Sequence, residues 1–179
     1  SYSFPKSHAA AFAVAVYQSA WLRKYHPHAF YAALLNNQPM GFYTPAVIVN
    51  DARRHGVRIL KPHINLSQER CTIEQTANQK AVRLGLKYIR GLGPGAMEKV
   101  LSARAAGAFT NLEDLHRRVR LSMRSLEYII MAGAMDHLGT SRRQLFWDLG
   151  KLQHKQGELN LAFADDDIDL PSISPVEAM

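Results

Sequence analysis

Ile89-Arg90-Gly91-Leu92-Gly93-Pro94-Gly95-Ala96 is the stretch whose reading decides the fold. A tight bend needs positive φ, and a residue without Cβ lets another group approach the backbone closely; glycine supplies both. Pro94 suits the first position of a helix, where its fixed φ is already helical and its missing N–H is not needed. The spacing therefore predicts a bend followed by a helix from residue 94 to about residue 106, stopped by Gly107. The first amides of that helix and its positive dipole end would face an anion. Pro94 gives up one donor, which leaves the N–H groups of Gly93, Gly95 and Ala96. Lys87, Arg90 and Lys99 stand near enough in sequence to add positive charge.

An apolar residue followed by x-Gly-apolar-Gly resembles the hairpin of helix-hairpin-helix modules. Phosphodiester oxygens fit such a bend without any reading of bases, so binding would be independent of sequence. The plainer alternative is a turn between helices whose glycines serve only geometry. The pattern recurs about 42 positions later, where Met131-Ala132-Gly133-Ala134-Met135 again joins two helical stretches through small residues. Arg142 and Arg143 open the helix beyond it, where cations oppose the helix dipole and so point to another use. The expectation is a tandem of phosphate-binding hairpins, with Gly133, Arg142 and Arg143 serving the second.

Charge agrees. The 179 residues carry 22 Lys plus Arg against 15 Asp plus Glu, a net +7. Residues 1–120 hold +11 and residues 121–179 hold −4. Such a field draws polyanions, nucleic acid first. No apolar run approaches the ~20 residues needed to span a bilayer, so no membrane partner is expected. The single cysteine, Cys71, excludes an intrachain disulfide and a cysteine-based zinc cluster, and fits a reducing, cytoplasmic setting.

Outward from the deciding stretch, the N-terminal part reads as helices. Ser7 offers a cap to a helix carrying Phe12, Val16 and Ala20 at four-residue spacing, ending near His26 because of Pro27. A second helix over 27–35 offers Phe30, Leu34 and Leu35 to a core. A third has Thr44 as cap, Pro45 at its first position, Ile48 and Ala52 inward, and Gly56 as stop. Arg53, Arg54 and His55 in its last turn complement the dipole, which competes with a phosphate-contact role. Val57-Arg58-Ile59-Leu60 is short and extended. Cys71-Thr72-Ile73-Glu74 and Ala81-Val82-Arg83-Leu84 alternate with period two and read as a small β-hairpin. Thr110-Asn111-Leu112-Glu113 is a capping box, and Ser122 caps a helix with Leu126, Ile129 and Ile130 apolar. The last helix runs over about 141–152.

The expected fold class is mainly α with a small β-hairpin and a C-terminal tandem helix-hairpin-helix. The expected division is a helical segment 1–56, an extended or hairpin connector 57–88, the DNA-binding region 89–154, and an acidic flexible tail 155–179.

Other constellations carry less. His26 and His28 read better as surface histidines than as metal ligands, with Pro27 between them and no acidic partner near. Cys71 reads as a buried inert thiol. Tyr17, Trp21 and Tyr25 read as a core stripe before a base-stacking platform. The run Asp165–Asp169 reads as solvated chain.

Phe4-Pro5-Lys6-Ser7-His8-Ala9-Ala10-Ala11-Phe12 places a Lys, a hydroxyl and an imidazole at a helix start, a small anion site. A cap plus solvated Lys6 and His8 is the bland alternative. That run, with Val16-Tyr17-Gln18-Ser19-Ala20-Trp21-Leu22-Arg23 and Phe30-Tyr31-Ala32-Ala33-Leu34-Leu35, resembles the fingers region of bacterial C-family DNA polymerases, the family of the polymerase III alpha subunit. Leu34-Leu35-Asn36-Asn37-Gln38-Pro39-Met40-Gly41-Phe42-Tyr43 and Arg83-Leu84-Gly85-Leu86 are closest to its error-prone, translesion branch. Gly133-Ala134-Met135-Asp136 and Ser141-Arg142-Arg143 extend the likeness to about residue 150.

The resemblance implies nucleotidyl transfer to a primer end, with deoxynucleoside triphosphate and duplex primer-template DNA as partners of the parent enzyme. It implies Mg2+ held by palm carboxylates in that parent, upstream of Ser1, and neither a cofactor nor a catalytic residue in this chain. It gives Lys6, Ser7 and His8 a nucleotide-contacting role, and Gly91, Gly93 and Gly95 a grip on duplex DNA. Two rivals stay open: the same region of a replicative polymerase, and a helical scaffold that binds protein.

Overall fold

A computed structural model describes residues 5–156; the tail expected over 155–179 lies almost wholly outside these residues. Two compact units form, each from separated pieces of chain. The first takes the chain up to Leu60 together with Cys71–Arg83; the second takes Lys61–Arg70 and the chain from Leu84 onward. The stretch 57–88, expected as a connector, is shared between them.

In the first unit, α1 (Lys6–Tyr25), α2 (Pro27–Asn36) and α3 (Pro45–Arg54) precede β1 (Arg58–Leu60), β2 (Thr72–Gln75) and β3 (Lys80–Arg83). Pro27 and Pro45 each open a helix, as their φ favours. Thr44 caps α3 by accepting from the Val47 amide, Gly56 follows with φ +74°, and Ile48 and Ala52 are buried, all as expected. α2 buries Tyr31, Ala32 and Leu35, while Phe30 and Leu34 are only half-buried.

The expected hairpin is present: β2 and β3 pair antiparallel, Thr72 opposite Arg83. The extended stretch at 58–60 then adds a third strand. β1 pairs parallel with β3, Arg58 opposite Ala81, which makes β3 central and buries both Ala81 and Val82. A parallel neighbour cannot be joined by a tight turn. Here the chain leaves for the other unit over 61–70 before returning. The Asn36 carboxamide brackets Cys71, accepting from its N–H at 2.7 Å and donating to its carbonyl at 2.9 Å, so the backbone entering β2 is paired and the thiol is buried.

Two expectations about α1 are corrected. Pro5, not Ser7, holds the N-cap position, and no side chain caps the helix; Ser7 lies inside the first turn. α1 buries none of its residues, and Phe12, Tyr17, Trp21 and Tyr25 are exposed rather than forming a core stripe. At 3.6 residues per turn, Phe12 and Val16 point one way while Tyr17, Trp21 and Tyr25 point the other. The helix therefore has no single apolar face to bury.

The second unit contains α4 (Pro94–Ala105), α5 (Leu112–Val119), α6 (Met123–Met131) and α7 (Arg142–Gln156), with short 3-10 helices at Leu86–Tyr88 and Asp136–Leu138. Ile64, Leu86, Ile89, Val100, Leu115, Leu126, Ile129, Ile130 and Met135 are its fully or nearly fully buried centre. Ser122 caps α6 as expected. The cap of α5 is one residue later than the expected Thr110: Asn111 accepts from the Asp114 amide at 2.7 Å. Thr110 instead donates its own N–H to the Asp114 carboxylate.

Lys61–Arg70 is stitched into this unit by polar contacts that no local pattern announces. The Ile64 amide donates to Ala134 O at 2.9 Å. Asn65 brackets Phe109 as Asn36 brackets Cys71, at 2.8 and 2.9 Å. Buried Ser67 donates to Leu84 O at 2.7 Å. Arg104 donates to the carbonyls of Ile64 and Ser67. Gly85 is needed for this seam, since a Cβ there would stand 2.3 Å from Glu69 O.

Candidate nucleic-acid interface

The two bends predicted from sequence both lie in the second unit, and they differ. At the first, Ile89 ends the 3-10 helix, Gly91 turns the chain with φ +72°, and Leu92 drops into the core. Gly93 is the N-cap residue of α4 in extended backbone, and no side chain caps the helix. Gly91, Gly93 and Gly95 are exposed. A Cβ added at Gly93 or Gly95 would meet nothing within 4 Å. Among the described residues the amides of Gly93, Gly95 and Ala96 have no acceptor. The first intrahelical bond is that from the Met97 amide to Gly93 O. Open donors and the positive dipole end thus converge on the surface at Gly93 and Gly95, while the Tyr128 ring covers Gly91, where a Cβ would stand 2.6 Å from the ring.

The second bend is closed. The Gly133 amide donates to Ile130 O at 2.9 Å and the Ala134 amide to Ile129 O at 3.1 Å, the paired bonds that terminate a helix through a left-handed glycine. Gly133 has φ +70°, is buried, and is covered by the ion pair of Arg142 with Asp136 at 2.6 Å. The Arg142 guanidinium also reaches the Met131 carbonyl at the end of α6. Arg142 thus closes the bend and satisfies a carbonyl at the end of α6. The hydrogen bond from Arg142 holds the Asp136 carboxyl below its ordinary range, and Asp136 in turn raises Arg142.

Arg90 is exposed beside the open bend with its guanidinium 5.7 Å from the Tyr128 ring centre. Lys99 is exposed on α4 and Arg143 on α7. Lys87 is half-buried, its ammonium 5.4 Å from the ring of Tyr88. Lys6, Ser7 and His8 are exposed in the first turn of α1, in the other unit, with the His8 ring edge-on to Phe12 at 4.6 Å.

Many cations of the second unit are engaged internally. Arg118 pairs with Asp114, donates to the Ala103 and Gly107 carbonyls, and covers the Phe109 ring. Arg117 also pairs with Asp114. Burial lowers the pKa of Arg104. Among the described residues Arg90, Lys99, Arg124 and Arg143 form no ion pair with a carboxylate. Arg124 and Tyr128 escaped the sequence reading; the available signal was their four-residue spacing on α6, which puts them on one face beside the first bend. Among the described residues no group of three His, Cys, Asp or Glu side chains is placed to hold a metal, and no helix is long and apolar enough to cross a membrane.

A glycine bend leading into an uncapped helix start is the geometry that the sequence pattern of a helix-hairpin-helix predicts. Residues 56–145, half of the chain, match the helix-hairpin-helix motif family, and the chain belongs to it. It is further similar to proteins named error-prone DNA polymerase. The one from Anaeromyxobacter sp. is 41% identical over 186 aligned positions covering 98% of this chain. That from Burkholderia pseudomallei is 41% identical over 183, covering 99%, and that from Mycobacterium bovis 47% identical over 151, covering 84%. The chain spans 16, 17 and 14% of those relatives' own lengths.

Proposed function

We propose that this chain is the part of a bacterial error-prone DNA polymerase that grips duplex primer-template DNA by its phosphate backbone, without reading sequence. The open first bend carries the proposal: uncapped amides at Gly93, Gly95 and Ala96, with Arg90 and Lys99 exposed near them. The second bend has its amides already donated, so Gly133 and Arg142 act in this reading as scaffold, and Arg143 is the cation left to contact DNA. In the parent enzyme, DNA-directed nucleotidyl transfer across damaged template, in the cytoplasm, would use Mg2+ on carboxylates outside this chain. Lys6, Ser7 and His8 would meet the incoming triphosphate. The names carried by the relatives favour the error-prone over the replicative branch.

Titrating a fluorescent duplex with the 179-residue chain at several salt concentrations tests the DNA reading. Log affinity should fall with log salt by about 0.9 per phosphate neutralised, and equally for unrelated sequences. No binding at low salt would overturn it.

A further inference from the structure

Beside the open bend the second unit has a cleft of about 260 Å3, lined by Arg90, Gly91, Ser122, Arg124, Ser125 and Tyr128. Its construction is specific. Ser122, the cap of α6, has its hydroxyl 2.9 Å from that of Ser125, and Ser125 also donates to Gly91 O at 3.4 Å. The start of α6 is thereby tied to the bend. The Arg90 and Arg124 guanidinium groups lie 5.7 and 5.9 Å from the centre of the same ring, that of Tyr128. Arg124 also donates to the Tyr128 hydroxyl at 3.5 Å. Two cations are thus held at one cleft by an aromatic side chain rather than by a carboxylate. Glu127, the neighbouring acid on α6, acts on Arg124 only at a distance and forms no ion pair with it. Guanidinium forks without a carboxylate match the oxygens of a phosphate.

We infer that this cleft is a second phosphate subsite, contiguous with the bend, which takes a phosphate next to the one held by the α4 amides. The inference rests on the DNA-binding reading and adds to it a contact made by α6. Gly91 lines the cleft and stands two residues from Gly93, a span of at most about 7 Å, so neighbouring phosphates of one strand can occupy both places. The phosphate could be internal to the strand or a terminal 5′-phosphate; the chemistry is shared.

The test compares the 179-residue chain with its Arg90→Gln/Arg124→Gln double variant and with Arg124→Gln alone. Melting curves establish that each is folded; the single variant changes an exposed side chain and stands in if the double one fails to fold. Each is titrated with an end-free closed duplex, an open duplex, and the open duplex carrying 5′-phosphates. The expected result is a salt slope shallower by about one unit per arginine removed and binding roughly tenfold weaker in 0.1 M salt. Equal losses on closed and open duplex assign an internal phosphate; losses confined to the phosphorylated ends assign a terminal one. Wild-type binding with unchanged affinity and slope in the variants overturns the subsite alone. Failure of the wild-type chain to bind any of the three overturns the DNA reading, and the subsite with it.

Discussion

Asp136 and Arg142 grip each other through two hydrogen bonds, 2.9 Å from Nε and 2.6 Å from Nη2, directly over the α-carbon of Gly133. A Cβ at position 133 would stand 2.4 Å from Arg142 Nη2 and 2.6 Å from Asp136 Oδ2. The glycine is required by a fold contact and by its positive φ, and its amide is already donated to Ile130 O.

Gly133→Ala should therefore lower stability by about 1–3 kcal/mol and leave the affinity of the folded fraction for DNA unchanged. Thermal melts and duplex titration of the same sample check both halves. Weaker DNA binding at full stability would return the second bend to the interface.

Gly93→Val should behave in the opposite way. Position 93 has an ordinary extended backbone and open space around the missing Cβ, so the fold should lose only the difference between glycine and valine as a helix cap, about 1 kcal/mol or less. A branched side chain there crowds the approach of a phosphate to the α4 amides, and binding should weaken several-fold. An equal or larger effect on melting would mean that this glycine too serves only the fold.

The Asp136–Arg142 pair should make stability depend on acid. Because the folded pKa of Asp136 lies below its unfolded value near ~3.9, the contribution is complete above that value and is lost as pH falls through the folded pKa. Both side chains are more than a third exposed, so the contribution is about 1 kcal/mol or less. The urea midpoint of Asp136→Asn should lie below that of the wild type by a constant amount from pH 5 to 8, and the gap should close below about pH 4. A gap that persists there would show that the carboxylate acts through something other than its charge.

Ile64→Ala tests the seam. Ile64 is fully buried and donates its amide to Ala134 O, although it lies outside the stretch that looked DNA-binding from sequence. Truncation should cost about 2–5 kcal/mol, seen as an earlier denaturation midpoint of the second unit. A loss under about 1 kcal/mol would leave 61–70 as a loosely attached loop.

Local chemistry was legible in the chain. Thr44-Pro45 and Ser122 marked helix starts, and Gly56 and Gly91 marked positive φ, because each acts within four residues of itself. What escaped is what distant partners decide. The pairing of β1 with β3 depends on a chain that departs and returns. The exposure of Trp21 and Tyr25 depends on which neighbours α1 has, and its period-four spacing could not supply that. Arg142 and Arg90 look alike in sequence. One is neutralised by Asp136, six residues back, and the other is held against an aromatic ring from a different helix.

The backbone changes unit after residues 60, 70 and 83, so the two units are plaited rather than strung. Neither could be transplanted by a single cut-and-paste of coding sequence. A chain cut anywhere from 61 to 83 would leave one piece lacking a sheet strand or the other lacking its Ile64 plug.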